Sequence, residues 1–128
     1  MEKTPAEEWK NKIVEYRKKC QNIIQISNSV RYAGAINQYG RTLTGIVRSD
    51  VKPLLKSEQV KNEFFILSTL MNLRKESEKA VGKLNYVLLE HNKVSIVVLQ
   101  KEKITYYVSI DRKTKDIVSI IGQIKKLI

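Results

Sequence analysis

Residues 84–110 read LNYVLLEHNKVSIVVLQKEKITYYVSI: three apolar runs separated by two short polar turns, His91-Asn92 and Lys101-Glu102-Lys103. Successive side chains of a β-strand point to opposite faces, and in the run 94–99 both faces carry apolar residues. A strand of this kind needs cover on both sides. The stretch therefore predicts three strands of a central sheet that lies between helices.

Helical patterns flank this region. Thr4 and Glu7 have the spacing of a capping box, and Pro5 suits a first helical position, so we expect a helix over residues 4–27. Its apolar residues recur every three or four positions and predict one stripe facing a core. They are Trp9, Ile13, Tyr16, Cys20, Ile23 and Ile24.

Two further helices are predicted from caps and periodicity. Ser57 is expected to cap a helix from Glu58 to about Ala80, which Gly82 would end. A last helix is expected from about Thr114, with isoleucines on one side.

Residues 30–48 are expected to form a hairpin, with strands over 30–37 and 42–48 and a glycine-containing turn between them. Gly34 and Gly45, inside these strands, predict bulges or a close approach of a helix. The element order is α-β-β-α-β-β-β-α. It fills residues 1–128 as a single domain, in which residues 1–3 are expected to be disordered.

Composition restricts the class of protein. The chain has 128 residues, of which 42% are hydrophobic and 29% charged, as in a globular domain. The sequence has no apolar run long enough for a membrane span and no secretory signal, so we expect a cytoplasmic protein. One cysteine, Cys20, and one histidine, His91, cannot supply a disulfide framework or a Cys/His zinc site.

The hairpin carries a resemblance to a known group. Gly34-Ala35 followed by Asn37-Gln38-Tyr39-Gly40, in this element order, resembles the roadblock/longin superfamily of profilin-like domains, in which a small-residue pair often leads to Asp/Asn-x-x-Gly. The element order covers nearly the whole chain, whereas the motif is short. The chain also resembles small archaeal proteins of about this length. It departs from many roadblock domains in its bulky second helix and long first helix.

The resemblance implies a three-layer α/β/α fold with a five-stranded antiparallel sheet in the order 2-1-5-4-3. It implies a homodimer paired through the third strand, here 84–90, and a non-enzymatic scaffold or regulator whose partners include small GTPases and signalling complexes. No residue of this sequence points to a GTPase contact. Independently, the inner part of this strand, residues 84–89, has none of the charges or prolines that protect an edge. The expected dimer residues are Phe65, Ile66, Leu84, Tyr86 and Leu88.

The sequence points to no catalytic residue, metal site or cofactor. His91 is interpreted as an exposed turn residue, and Cys20 as a small buried apolar residue. The glycines are scattered and form no phosphate-binding loop. We therefore expect that the protein is not an enzyme.

A second hypothesis rests on charge. The chain carries 24 basic against 13 acidic residues, a net charge of +11, and the excess is densest around the hairpin. Arginines suit phosphates and a tyrosine can stack on a base, so the hairpin could bind nucleic acid. The candidate residues are Arg31, Tyr39, Arg41, Arg48, Lys52 and Lys56. The alternatives are a solubility surface without a ligand and a sensor that holds a small ligand between sheet and helix.

Overall fold

The computed structural model describes residues 2–113 and 116–128. The elements are α1 (Pro5–Ile24), β1 (Val30–Ile36), β2 (Thr42–Val47), α2 (Ser57–Lys75), α3 (Glu78–Val81), β3 (Val87–Glu90), β4 (Val94–Lys101), β5 (Ile104–Asp111) and α4 (Ile117–Leu127). The strands form one antiparallel sheet in the order β2-β1-β5-β4-β3. This is the predicted fold class, including the strand order.

The sheet has helices on both faces because its central strands are apolar on both faces. On one face α1 and α4 enclose the α1/α4 core, whose buried members are Cys20, Ile23, Val30, Ala33, Ala35, Val97, Leu99, Ile104, Tyr106, Val108, Ile110, Ile120, Ile121 and Ile124. On the other face α2 encloses the α2 core of Ile36, Phe64, Leu67, Met71, Ile96, Val98 and Tyr107. Removing a large apolar side chain from water contributes about 1.5–3 kcal/mol, so these two cores hold the layers together.

The start of α1 follows the predicted capping box. The Thr4 hydroxyl accepts from the Glu7 amide, and the Glu7 carboxylate accepts from the Thr4 amide. The helix ends at Ile24, and its first turns extend beyond the sheet. Trp9 is consequently 49% exposed and does not join the core that the stripe predicted, because the sheet beneath α1 reaches only its later turns.

The second predicted helix is interrupted. It begins at Ser57, so Ser57 is the first helical residue and not the cap, and the Gln59 side chain accepts from the Lys56 amide. It ends at Lys75, and a separate turn, α3, covers 78–81 before Gly82 adopts a φ of 89°. The last helix begins at Ile117 with Asp116 as its cap. The expected start at Thr114 lies outside the described residues.

An aromatic ring explains the two strand glycines. Gly34 and Gly45 are cross-strand partners, and a Cβ at either position would lie within 2.4 Å of the Tyr32 hydroxyl oxygen. The Tyr32 ring therefore covers both glycines and meets Tyr107 edge-on at 6.0 Å. The expectation of a helix or a bulge at the glycines was wrong; the irregularities in β1 lie between Ala35 and Ile36 in its pairing with β2, and between Val30 and Tyr32 in its pairing with β5.

Candidate functional site

The outer edge of β3 is the first candidate site. β3 is the last strand of the sheet, and its inner edge pairs with β4 from Val87↔Val98 to Glu90↔Ser95. Leu88 pairs with Val97 and so lies on the α1/α4 face, where it is 38% exposed. The one charge of the strand, Glu90, forms an ion pair with Arg112 of the same chain. The edge thus presents backbone groups and apolar side chains with little charge to protect it.

The third strand is shorter than the predicted range of residues 84–90. The strand begins at Val87, not at residue 84, because the chain leaves α3 through the positive φ of Gly82 and reaches the sheet only at Val87. The alternation of side chains between the two sheet faces therefore does not extend back to Leu84. Leu84 packs against the α2 core, as Val87 does. Tyr86 is 40% exposed beside the strand. Tyr86 and Leu88 are the exposed members of the predicted dimer residues in this segment.

The two α2 members of the predicted interface, Phe65 and Ile66, are both exposed, to 60% and 62%, and differ in what lies beside them. The backbone of Phe65 lies against the β1–β2 turn, since a Cβ on Gly40 would come within 2.6 Å of the Phe65 Cα. Asn72, about two turns further on, donates to the Gln38 carbonyl of that turn at 3.0 Å. Ile66 is the next residue around the helix, points outward and is 62% exposed. Phe65 therefore borders the turn, whereas Ile66 belongs to the outer surface of α2.

Arg48 was expected to contact phosphate, but its guanidinium donates hydrogen bonds to backbone carbonyls of the same chain. Its Nη2 donates to the carbonyls of Ile24 (2.6 Å) and Ser27 (2.8 Å), and its Nε donates to the carbonyl of Val30 (2.8 Å). Carbonyls at the end of a helix lack partners within the helix, and the last turn of α1 has no basic residue. Arg48 supplies the missing donors and charge, so its role in this structure is to anchor the end of α1 to the hairpin.

The other basic candidates occupy two separate places. Arg31 donates to the Lys52 carbonyl at 3.0 Å and ties the 49–56 loop to β1. Tyr39 and Arg41 are exposed in the β1–β2 turn, at the opposite end of strands about 20 Å long. Lys56 is exposed at the start of α2. The structure brings Arg31 and Lys52 together but separates them from the turn.

His91 and Cys20 lie where the sequence predicted, His91 in an exposed turn and Cys20 in a buried apolar position. His91 is exposed in the turn before β4. Cys20 is fully buried in the α1/α4 core, and this burial raises the pKa of its thiol to about 11. Among residues 2–113 and 116–128, no three His, Cys, Asp or Glu residues are grouped to hold a metal ion, and no helix there is long and apolar enough to cross a membrane.

A search of solved structures finds close matches to this architecture at low sequence identity. The gliding protein MglB from Thermus thermophilus is 11% identical over 90% of this chain and 86% of that chain, with a TM-score of 0.69. A roadblock/LC7 domain from Streptomyces avermitilis is 13% identical over 85% and 90% of the two chains, with a TM-score of 0.61. This chain has a roadblock/longin-type fold.

A third structure with this roadblock fold, described as MglB with a tetrameric arrangement, is 11% identical over 88% of this chain and 82% of that chain, with a TM-score of 0.68. No family model matches the sequence. No curated protein matches it either. The likeness is one of fold, and it agrees with the resemblance carried by residues 34–40.

The sequence left open whether a ligand cavity lies between sheet and helix, and it did not predict the place of the one found in this roadblock fold. A cavity of about 390 Å³ lies between the 49–56 loop, the beginning of α2 and the α2 face of the sheet. The available signal was the apolar content of the 49–56 loop, which includes Val51, Leu54 and Leu55. A loop that contacts only solvent rarely contains several large apolar residues.

Proposed function

We propose that this protein is a non-enzymatic homodimer that acts as a scaffold or regulator of another protein. The observation that carries the proposal is the free edge of β3, which has apolar residues on both faces and whose one charged residue, Glu90, is paired within the chain. An uncovered edge of this type readily pairs with a second strand. A second copy of β3 would extend the sheet across a twofold axis and bury Leu88.

The outer surface of α2 extends the proposed interface. Ile66 and Leu73 are 62% and 58% exposed on α2, and large contiguous apolar patches on a monomer mark interaction sites. Pairing of β3 with its copy would bring the two α2 helices to the same side of the extended sheet. The tetrameric arrangement described for one MglB structure supports self-association as a property of this fold.

The partner class of the proposal is another protein, a small GTPase or a signalling component, as the resemblance to roadblock domains implies. Isothermal titration of the dimer with small GTPases, each loaded with GDP or with a GTP analogue, tests this class. A cytoplasmic location also stays a prediction.

The dimer is tested by sedimentation equilibrium of the wild type and Leu88→Lys. We expect the wild type at twice 14.8 kDa and the variant at the monomer mass, because the substitution places a charge in the interface. Val14→Lys, at a position 65% exposed on α1, is the matched control and should stay dimeric. A wild type that is monomeric at high micromolar concentration contradicts the proposal.

Two α2 variants define the extent of the interface. Ile66→Glu should weaken the dimer because Ile66 lies on the outer surface of α2. Phe65→Glu should also give monomers if the interface reaches the β1–β2 turn. Circular dichroism of each variant separates dissociation from unfolding.

A further inference from the structure

The cavity beside the 49–56 loop has the composition of a ligand site. Its volume of about 390 Å³ lies within the range of small-molecule pockets. The inner wall is formed by Phe64, Ile96 and Tyr107, which are all buried in the α2 core. The cavity therefore reaches from the surface to the apolar interior.

The outer wall is apolar too. Val47 of β2 and Leu54 and Leu55 of the loop line the cavity, and all three are exposed to solvent. Two hydrogen bonds connect the loop to the hairpin: Arg31 Nη2 to the Lys52 carbonyl, and the Val51 amide to the Arg48 carbonyl. An apolar molecule in the cavity would remove these side chains from water, which favours its binding.

The charges that line the cavity have one sign. Arg31, Lys52 and Lys61 contribute to the lining, and none of the lining residues is an aspartate or glutamate. The acids nearest in sequence to lining residues include Asp50, Glu58 and Glu63, and these three lie outside the lining. The Glu63 carboxylate accepts a hydrogen bond from the Tyr107 hydroxyl at 3.1 Å. Cationic side chains beside an apolar cavity complement a ligand that has an apolar chain and an anionic group at one end.

We propose that this cavity binds a single-chain amphipathic carboxylate, with its apolar chain against Phe64, Ile96 and Tyr107 and its carboxylate against Arg31, Lys52 or Lys61. The cavity opens on the hairpin side of α2, and the proposed dimer edge is at the other end of the sheet. The proposal is independent of dimerisation.

Isothermal titration of the full chain with decanoate, dodecanoate and dodecanol, each below its micelle concentration, tests the chemistry. Each buried methylene is worth about a fourfold change in Kd, so dodecanoate should bind about 15-fold more tightly than decanoate. Dodecanol should bind at least about tenfold more weakly than dodecanoate because it lacks the charge. Saturation at one ligand per chain is expected.

Two exposed positions assign the binding to this cavity. Val47→Glu places a carboxylate in the apolar wall and should weaken dodecanoate and dodecanol alike, whereas Val118→Glu, on the opposite face of the molecule, should change neither. Lys61→Glu should weaken dodecanoate at least about tenfold and leave dodecanol unchanged. Lys10→Glu, on α1, is its matched control.

Four results overturn the proposal. They are the absence of saturable binding of either carboxylate, equal affinity for dodecanoate and dodecanol, binding that Val47→Glu leaves intact, and binding of apolar peptides in place of the carboxylates. Circular dichroism verifies that each variant is folded.

Discussion

Replacing Arg48 with methionine removes the donors that hold the end of α1 while keeping most of the apolar stem. Three carbonyls, those of Ile24, Ser27 and Val30, would lose a charged partner at 2.6–2.8 Å. A hydrogen bond to a charged group contributes about 1.5–3 kcal/mol. The site is half-buried, so water can replace part of each bond, and we expect a total loss of about 3 kcal/mol in the free energy of unfolding.

Urea denaturation followed by circular dichroism measures this loss. With an m-value of about 1.5 kcal/mol per molar urea for a domain of this size, the midpoint should fall by roughly 2 M. The melting temperature should fall by about 12 °C. All variants are compared at one protein concentration, because the proposed dimerisation would make apparent stability depend on concentration.

Two arginine variants serve as controls for Arg48→Met. Arg41→Met, in the exposed β1–β2 turn, should change stability by no more than about 0.5 kcal/mol. The free energy of unfolding of Arg48→Lys should lie between those of the wild type and Arg48→Met. One ammonium group cannot reproduce a planar guanidinium that reaches three carbonyls. A loss below about 1 kcal/mol in Arg48→Met, accompanied by loss of nucleic-acid binding, would refute the anchoring role and favour a phosphate contact.

Three further measurements test the packing. Gly34→Ala should cost about 1–3 kcal/mol because its Cβ would collide with the Tyr32 ring, and combining it with Tyr32→Leu in a double-mutant cycle should recover much of that cost; purely additive effects would contradict the contact. The Cys20 thiol, with a pKa of about 11, should react with a thiol reagent at about pH 8 at least a hundredfold more slowly than in the unfolded chain, and rapid labelling of the native protein would show that the site is open. Burial raises the pKa of Tyr32 to about 12 and also raises that of Tyr107, where the Glu63 carboxylate adds to the effect. Their neutral forms are favoured by folding, so this stability is present below about pH 10 and is lost as the pH rises through about 12; phenolate absorbance should show both tyrosines neutral in the native state at about pH 11, and their early ionisation would contradict the burial.

Local patterns predicted most of the elements. The capping box at Thr4 and Glu7 placed the start of α1, and the strand pairing of residues 94–110 followed from apolar alternation and short turns. These features depend on residues that are close in sequence. The spacing of apolar and capping residues along the chain is therefore enough to predict them. The break after Lys75 was less predictable, because residues 76–80 have ordinary helical composition.

The proposed sites depended more strongly on tertiary structure. The sequence placed Arg48 among free cations, and only the fold brings the ends of α1 and β2 close enough for it to cap a helix 24 residues away. The cavity likewise arises from a loop, a helix and a sheet face that no local pattern relates.

The sequence by itself determined a two-sided sheet between helices and a third strand whose apolar part, residues 84–89, carries no charge, because side-chain alternation is encoded residue by residue. Only the tertiary structure decided which cations are bound internally, that the backbone of Phe65 lies against the β1–β2 turn, and that Tyr32 covers the strand glycines. The physical reason is that hydrogen bonds and cavities depend on distances between residues that are remote in the chain.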